Sequence, residues 1–239
     1  MTATAWRWAA AAFLLLAVAD LTAIATGHDA WRAFTKPPLM LLLALAFALA
    51  VRARFDRSHW LVIGGLIFSA AGDAVLLRSG TTALALGMVC FACTHVCYIV
   101  AFASAAPGRG LVRRRPETAL PYALAWLGAT VVLWPHTGGL GVAVLVYSAL
   151  VTAMAVAALN LIGRIPLRNA VLVAAGAVFF MSSDTTLAFT QFDRALAPPF
   201  APLVVMLSYL VAQTMIAAGM TAVLSGARPA PGIRVDGLR

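Results

Sequence analysis

Eight long apolar stretches, broken only by short polar connections, leave this chain few ways to fold. They cover approximately 8–26, 37–51, 60–77, 83–105, 119–135, 139–161, 169–190 and 201–224. A helix needs roughly 20 apolar residues to cross the ~30 Å hydrocarbon core of a bilayer. Lipid offers no partner to a bare N–H or C=O, so a stretch that enters it closes its backbone bonds within itself, as a helix. Only 10% of the 239 residues are charged and 63% are hydrophobic, against about 25% charged in a soluble domain. The expected fold is therefore all-α, a polytopic bundle of about eight transmembrane helices. Residues 1–226 form one membrane domain and 227–239 a polar tail. The second and fifth stretches are the shortest, which predicts little tilt or a partly interfacial position. The first is longer than a signal-peptide core and is followed at once by another, so it reads as a true span.

The basic residues orient the bundle. Eight spans put the N-terminus, the 52–59, 106–118 and 162–168 connections and the C-terminal tail on one side. Thirteen of the seventeen basic residues fall there: Arg7, Arg52, Arg54, Arg57, Arg109, Arg113, Arg114, Arg115, Arg164, Arg168, Arg228, Arg234 and Arg239. Arg32, Lys36, Arg78 and Arg194 fall on the other side. Cytoplasmic loops carry the excess of Lys and Arg, so both termini are expected in the cytoplasm. The net charge of +9 is thus an orientation signal that also attracts membrane lipid, and no nucleic-acid partner is expected. Arginine outnumbers lysine sixteen to one and alanine is abundant, so the expected location is a bacterial cytoplasmic membrane.

Two aspartates interrupt the apolar spans in matching frames. Gly65, Phe68, Gly72, Asp73 and Leu76 are spaced like Gly176, Phe179, Ser183, Asp184 and Leu187. A carboxylate near the bilayer centre costs roughly 2.5–3.5 kcal/mol on insertion scales, so a matched pair asks for a use. The frames also suggest an internal duplication, four spans plus four in parallel orientation. Met88 precedes His95 by seven residues as Met206 precedes Gln213, which continues the match. With the expected orientation, Asp73, Asp184, Asp20 and Lys36 all lie toward the non-cytoplasmic side.

Two carboxyls in low dielectric can share a proton and so offer one acid and one base. The bland reading is an interhelical hydrogen bond, or an ion pair with Lys36 or Arg78. Lys36 has three readings: a lipid-phosphate contact, a counter-ion to an aspartate, or an anchor snorkelling at a helix end. His95, Tyr98, Tyr209 and Gln213 could line a polar cavity or serve packing. Asp20, near a span end, could simply cap or pair.

Other chemistries lack their residues. No phosphate loop, dinucleotide fingerprint, nucleophile elbow or HExxH is present. The histidines at 28, 59, 95 and 136 are scattered, and no lysine lies in a late span. Cys90, Cys93 and Cys97 share one helical face that His95 leaves, so they read as packing residues rather than ligands. No metal or other cofactor is expected.

Thr35-Lys36-Pro37-Pro38-Leu39-Met40, Gly72-Asp73, His95 with Tyr98 and Phe102, and Ser183-Asp184 with Tyr209 and Gln213 in the last span resemble, in that order, the lysoplasmalogenase family of YhhN-like and TMEM86-like membrane proteins. The resemblance runs from about Lys36 to Ala218. Two details differ from the family pattern: the second proline at Pro38, and threonine rather than a more hydrophobic residue after Asp184. The resemblance implies hydrolysis of the vinyl-ether bond of a lysolipid to a fatty aldehyde and a glycerophospho-alcohol. Asp73 and Asp184 would then be catalytic, and Lys36, His95, Tyr98, Tyr209 and Gln213 substrate-binding, with Lys36 on the phosphate. The rival class is a proton-coupled transporter or lipid-binding protein, which parallel repeats and intramembrane acids also fit. The sequence leaves the oligomeric state open.

Overall fold

The computed structural model describes residues 4–51 and 56–226, with side chains as far as residue 221. Arg52, Arg54 and the 227–239 tail with Arg228, Arg234 and Arg239 lie outside the described residues. The expected all-α bundle is what the chain forms. Its helices are α1 Ala5–Ala25, α2 Asp29–Ala50, α3 Arg57–Val75, α4 Thr81–Ser104, the short α5 Leu111–Arg114, α6 Leu120–Leu133, α7 Gly141–Leu159, α8 Leu167–Phe192 and α9 Ala201–Gly226. Turns of 3-10 helix extend α6 into an apolar stretch over Pro116–His136. With that stretch, eight helices among the described residues are long and apolar enough to cross a membrane, and the chain is a multi-pass membrane protein.

One boundary differs in a way that matters. The reading of Pro37-Pro38 as the end of a turn delayed α2 by eight residues; the helix begins at Asp29 and carries both prolines inside it. Each proline removes one donor to the preceding turn, but unwinding an apolar stretch would leave more backbone groups bare in lipid. Lys36 and Arg32 therefore stand on a helix rather than in a connection, and α2 is a full-length span. The hairpin before it is closed by Gly27, whose φ of 72° is left-handed. There the His28 N–H reaches the Ala23 carbonyl at 2.9 Å and the Gly27 N–H the Ile24 carbonyl at 3.3 Å, a Schellman end to α1. This tight return lays the first turns of α2 along the last turns of α1.

The two halves pack alike. Along α3 the residues Val62, Leu66, Ser69, Ala70 and Asp73 are buried, and along α8 Ala170, Val173, Ala177 and Phe180, each a helical stripe turned inward. The small residues of the matched frames are where the next helix comes close. A Cβ on Gly72 would lie 2.7 Å from the Phe91 ring of α4, and one on Gly176 would lie 2.9 Å from the Ala212 carbonyl of α9. Gly65 meets the ring of Tyr98, and the Ser183 hydroxyl donates to the Val205 carbonyl at 2.9 Å. Small residues let membrane helices approach closely, so the frames are packing seams that carry an aspartate on one edge.

At the other end of the bundle Arg164 closes α4. Its guanidinium donates to the carbonyls of Phe102, at 3.2 Å, Ala103, at 2.8 Å, and Ala106. These groups have no partner inside the helix, and a cation suits a helix C-terminus. Replacing Arg164 by Ala is expected to lower stability by about 1.5–3 kcal/mol, the scale of a charge-assisted hydrogen bond. The check is the unfolding midpoint in detergent; an unchanged midpoint would show the cap to be dispensable.

Candidate functional site

The structure sorts the residues singled out in the sequence into two polar clusters. Asp73, 2% exposed, receives Lys36 Nζ at 3.1 Å on Oδ1 and the Tyr209 hydroxyl at 2.8 Å on Oδ2. Lys36 is thus the counter-ion among its three readings. A chain of bonds continues inward beside this pair. Tyr98 donates to Gln213 Oε1 at 2.6 Å, Gln213 Nε2 donates to Ser69 at 2.9 Å, and Ser69 meets Thr94 at 3.1 Å. Tyr98 and Gln213 therefore join α4, α9 and α3 without bonding to either frame aspartate.

Asp20, fully buried, sits next to this cluster. Thr35 donates to its Oδ1 at 2.6 Å and Arg32 Nε lies 3.7 Å from the same oxygen. Consecutive residues of α2, Thr35 and Lys36, hold Asp20 and Asp73 in turn. Asp20 thus pins the segment of α2 that precedes its prolines.

The second cluster surrounds Asp184. The Tyr147 hydroxyl of α7 donates to Oδ2 at 2.7 Å, and His95 Nε2 of α4 lies 3.3 Å from the same oxygen. His95 Nε2 is also 3.3 Å from the Tyr147 hydroxyl. Asp184, Tyr147 and His95 thus touch one another in a closed triangle. The Asp184 side chain is 11% exposed, and what it faces is an apolar cleft of ≈ 80 Å³. Met88, Phe91, Leu133, Val151 and Phe192 are among its walls, and Asp184 is the single charged group among the described residues that line it. An acid set in an apolar recess is the usual form of a site for an apolar ligand with one reactive polar centre.

Asp73 and Asp184 are not hydrogen-bonded to each other, which corrects the expectation of a directly shared proton. An aromatic layer stands between their clusters. Tyr209 lies edge-on to Phe91 at 6.0 Å and to Phe180 at 5.6 Å, and Phe180 to His95 at 4.8 Å. Phe91 belongs both to that layer and to the cleft wall, as Leu76, one turn beyond Asp73, also lines the cleft. The Asp73 cluster therefore lies behind the cleft wall and the Asp184 cluster opens through it.

Tyr147 is the functional candidate that sequence reasoning missed. Its signal was a hydroxyl-bearing ring directly after the apolar run from Val142 to Val146, on the span before Asp184. The partners also follow a pattern. Asp73 takes Lys36 from the second span and Tyr209 from the eighth, while Asp184 takes Tyr147 from the sixth and His95 from the fourth. Each acid thus has one partner from the span before it and one from the last span of the other half. This is the exchange that a parallel four-plus-four repeat would produce. The cysteines do not enter either cluster; all three are free and half-buried.

Comparison with known proteins gives a consistent picture. The YhhN family model matches residues 31–220. A protein of Sus scrofa named lysoplasmalogenase TMEM86B is 32% identical over 210 residues, covering 88% of this chain and 84% of its own length. The Mus musculus protein of the same name is 30% identical over 213 residues, with the same shares. The Homo sapiens lysoplasmalogenase TMEM86A is 35% identical over 157 residues, 64% of this chain and 62% of that protein. No solved structure matches.

Proposed function

The chain belongs to the YhhN family, and on that premise we propose that it is an integral-membrane hydrolase that cleaves the vinyl-ether bond of a lysoplasmalogen-like lysolipid. Its products are a fatty aldehyde and a glycerophospho-alcohol. The observation that carries this reading is Asp184, held by Tyr147 and His95 and opening into an apolar cleft. A vinyl ether needs little more than an acid in such a place. Protonation of the outer alkene carbon gives an oxocarbenium ion, water adds to it, and the hemiacetal collapses to aldehyde and alcohol.

Asp184 is the proton donor. Tyr147 and His95 both bond to Oδ2, so Oδ1 is the oxygen that carries the reacting proton. Having given it up, the carboxylate faces the cation it has made, as carboxylates do around the similar cation in glycoside hydrolysis. The apolar walls hold the alkenyl chain and strengthen that ion pairing by keeping the dielectric low. Asp73 acts beside it by fixing Lys36, an ammonium with three donors, for the phosphate of the headgroup. Tyr209, Tyr98 and Gln213 hold Asp73 and its surroundings in place. The reaction needs no metal or other cofactor.

The setting is a bacterial cytoplasmic membrane with both termini in the cytoplasm. Arg57, Arg109, Arg113, Arg114, Arg115, Arg164 and Arg168 gather at one end of the bundle, which supports that orientation. It puts both acids in the outer half of the bilayer and brings substrate from the outer leaflet.

Aldehyde release from purified protein in detergent, given a lysoplasmalogen, is the test. An enzyme works without a sealed membrane; a proton-coupled transporter does not. Release of aldehyde with turnover supports the reading. Folded protein that releases none, yet moves lysolipid or protons in sealed vesicles, would replace it with transport.

A further inference from the structure

We propose that Trp126 is a second catalytic residue of the cleft, its indole ring stabilising the oxocarbenium ion from the α6 wall. The inference rests on the hydrolase reading and deepens it.

The chain has six tryptophans, and five of them share one kind of place. Trp6, Trp8, Trp31, Trp60 and Trp134 are exposed and stand near the ends of helical stretches, where amphipathic rings gather at the membrane–water boundary. Trp126 differs. It lies in the middle of the apolar stretch Pro116–His136, is partly buried and lines the cleft. Its Nε1–H donates to Ser148 Oγ of α7 at 3.0 Å. The one polar atom of the indole is thereby spent, so what the side chain offers the cleft is ring carbon.

Ser148 also fixes the height of the ring. It follows Tyr147, whose hydroxyl holds Asp184 at 2.7 Å. Two consecutive residues of α7 thus reach Trp126 on α6 and Asp184 on α8, which sets indole and acid at one level of the cleft that both line. The other rings of the lining are committed elsewhere. Phe91 is packed edge-on against Phe180 and Tyr209, and Tyr147 is bonded to the acid. Phe192 stands eight residues beyond Asp184 on α8, about 12 Å along the helix.

The charge that forms at this level suits such a ring. When Asp184 gives its proton to the outer alkene carbon, the C=C electron pair becomes the new C–H bond. Two neutral partners become a carboxylate and a cation shared between carbon and the ether oxygen. Asp184 answers that cation from α8, and no second anion is present among the described residues that line the cleft. The face of an indole attracts a cation within about 6 Å of its centre, more strongly than any other aromatic side chain. It carries no charge to desolvate while the cleft is at rest, so its attraction appears only as the cation forms, which is the condition for a faster chemical step.

The test uses the full-length protein in detergent with a lysoplasmalogen, and reads the rate of aldehyde formation in a single turnover at saturating enzyme. Tryptophans with one to four ring fluorines are placed at position 126 alone. They keep the shape of the ring and the N–H that bonds Ser148, but drain the face of its electron density. The logarithm of the rate is expected to fall in proportion to the number of fluorines, reaching about 30-fold below wild type for the full set. Trp126→Leu, which fills the wall without a π face, should be slowed to a similar extent. A ring that only packed would be indifferent to fluorine. A flat fluorine series, or a wild-type rate in Trp126→Leu, overturns the proposal and leaves the hydrolase reading standing; the series decides the matter even if Trp126→Leu fails to fold. No aldehyde from the wild type overturns both.

Discussion

Asp184→Asn is expected to release no detectable aldehyde from protein that folds like the wild type. Asparagine fills the same space, and its amide oxygen can still accept from Tyr147 and His95, which now bond to Oδ2 at 2.7 and 3.3 Å. What it lacks is a proton that can move to carbon. Losing a positioned general acid costs about 10²–10⁴-fold in rate, and protonation of the alkene carbon is the step that the reaction cannot avoid. The loss should appear in kcat with KM little altered, because the walls of the cleft that hold the chain are untouched. Tyr147→Phe is the milder companion. It removes one bond to the acid and leaves the acid in place, so a smaller loss is expected. Aldehyde release by Asp184→Asn at more than a tenth of the wild-type rate would move the proton donor elsewhere.

How far the sequence foretold this arrangement depends on which residue is asked about. The spans were legible because a bilayer removes alternatives: an apolar run of sufficient length has only the helix open to it. The aspartates were legible for the complementary reason, since a charge among apolar residues stands out. Lys36 was legible as a residue and misplaced as a position. Pro37-Pro38 signals a turn in water, where a broken helix can bond to solvent, whereas in an apolar stretch the helix continues through them. Tyr147 was hidden because it has no matched frame to mark it, unlike the aspartates, and it stands beside Ser148 like any other polar residue of the span. The pairing of partners was hidden as well, since Tyr209 reaches Asp73 across 136 positions and Tyr147 reaches Asp184 across 37. The first contact belongs to the packing of one half against the other, and the second to the packing of neighbouring spans within a half. The matched frames marked where the acids stand; they named neither α4 and α9 as the helices that close on them nor the aromatic layer that parts the two acids. That layer follows from Phe91, seated against Gly72, and from Phe180, one turn before Asp184.

The Lys36–Asp73 pair separates stability from function. Asp73→Ala alone is expected to destabilise the protein by about 3–5 kcal/mol, because it strands an ammonium that is 14% exposed inside the bundle. Lys36→Met alone should also destabilise, since it leaves a buried carboxylate with Tyr209 as its remaining partner. The double variant, Lys36→Met with Asp73→Leu, removes both charges and fills the space with apolar groups. Exchanges of that kind are commonly neutral or stabilising, so its unfolding midpoint in detergent should return close to that of the wild type. Activity should not return with it. If Lys36 holds the headgroup phosphate, the restored fold lacks that contact, and KM for the lysolipid should remain high while the Asp184 cluster is intact. A pair kept only for architecture predicts the opposite, namely that aldehyde release recovers in step with the midpoint. Recovery of both would confine the chemistry to Asp184, Tyr147 and His95. Recovery of stability alone would tie Asp73 to catalysis through the lysine that it fixes, which is the role its place behind the cleft wall allows.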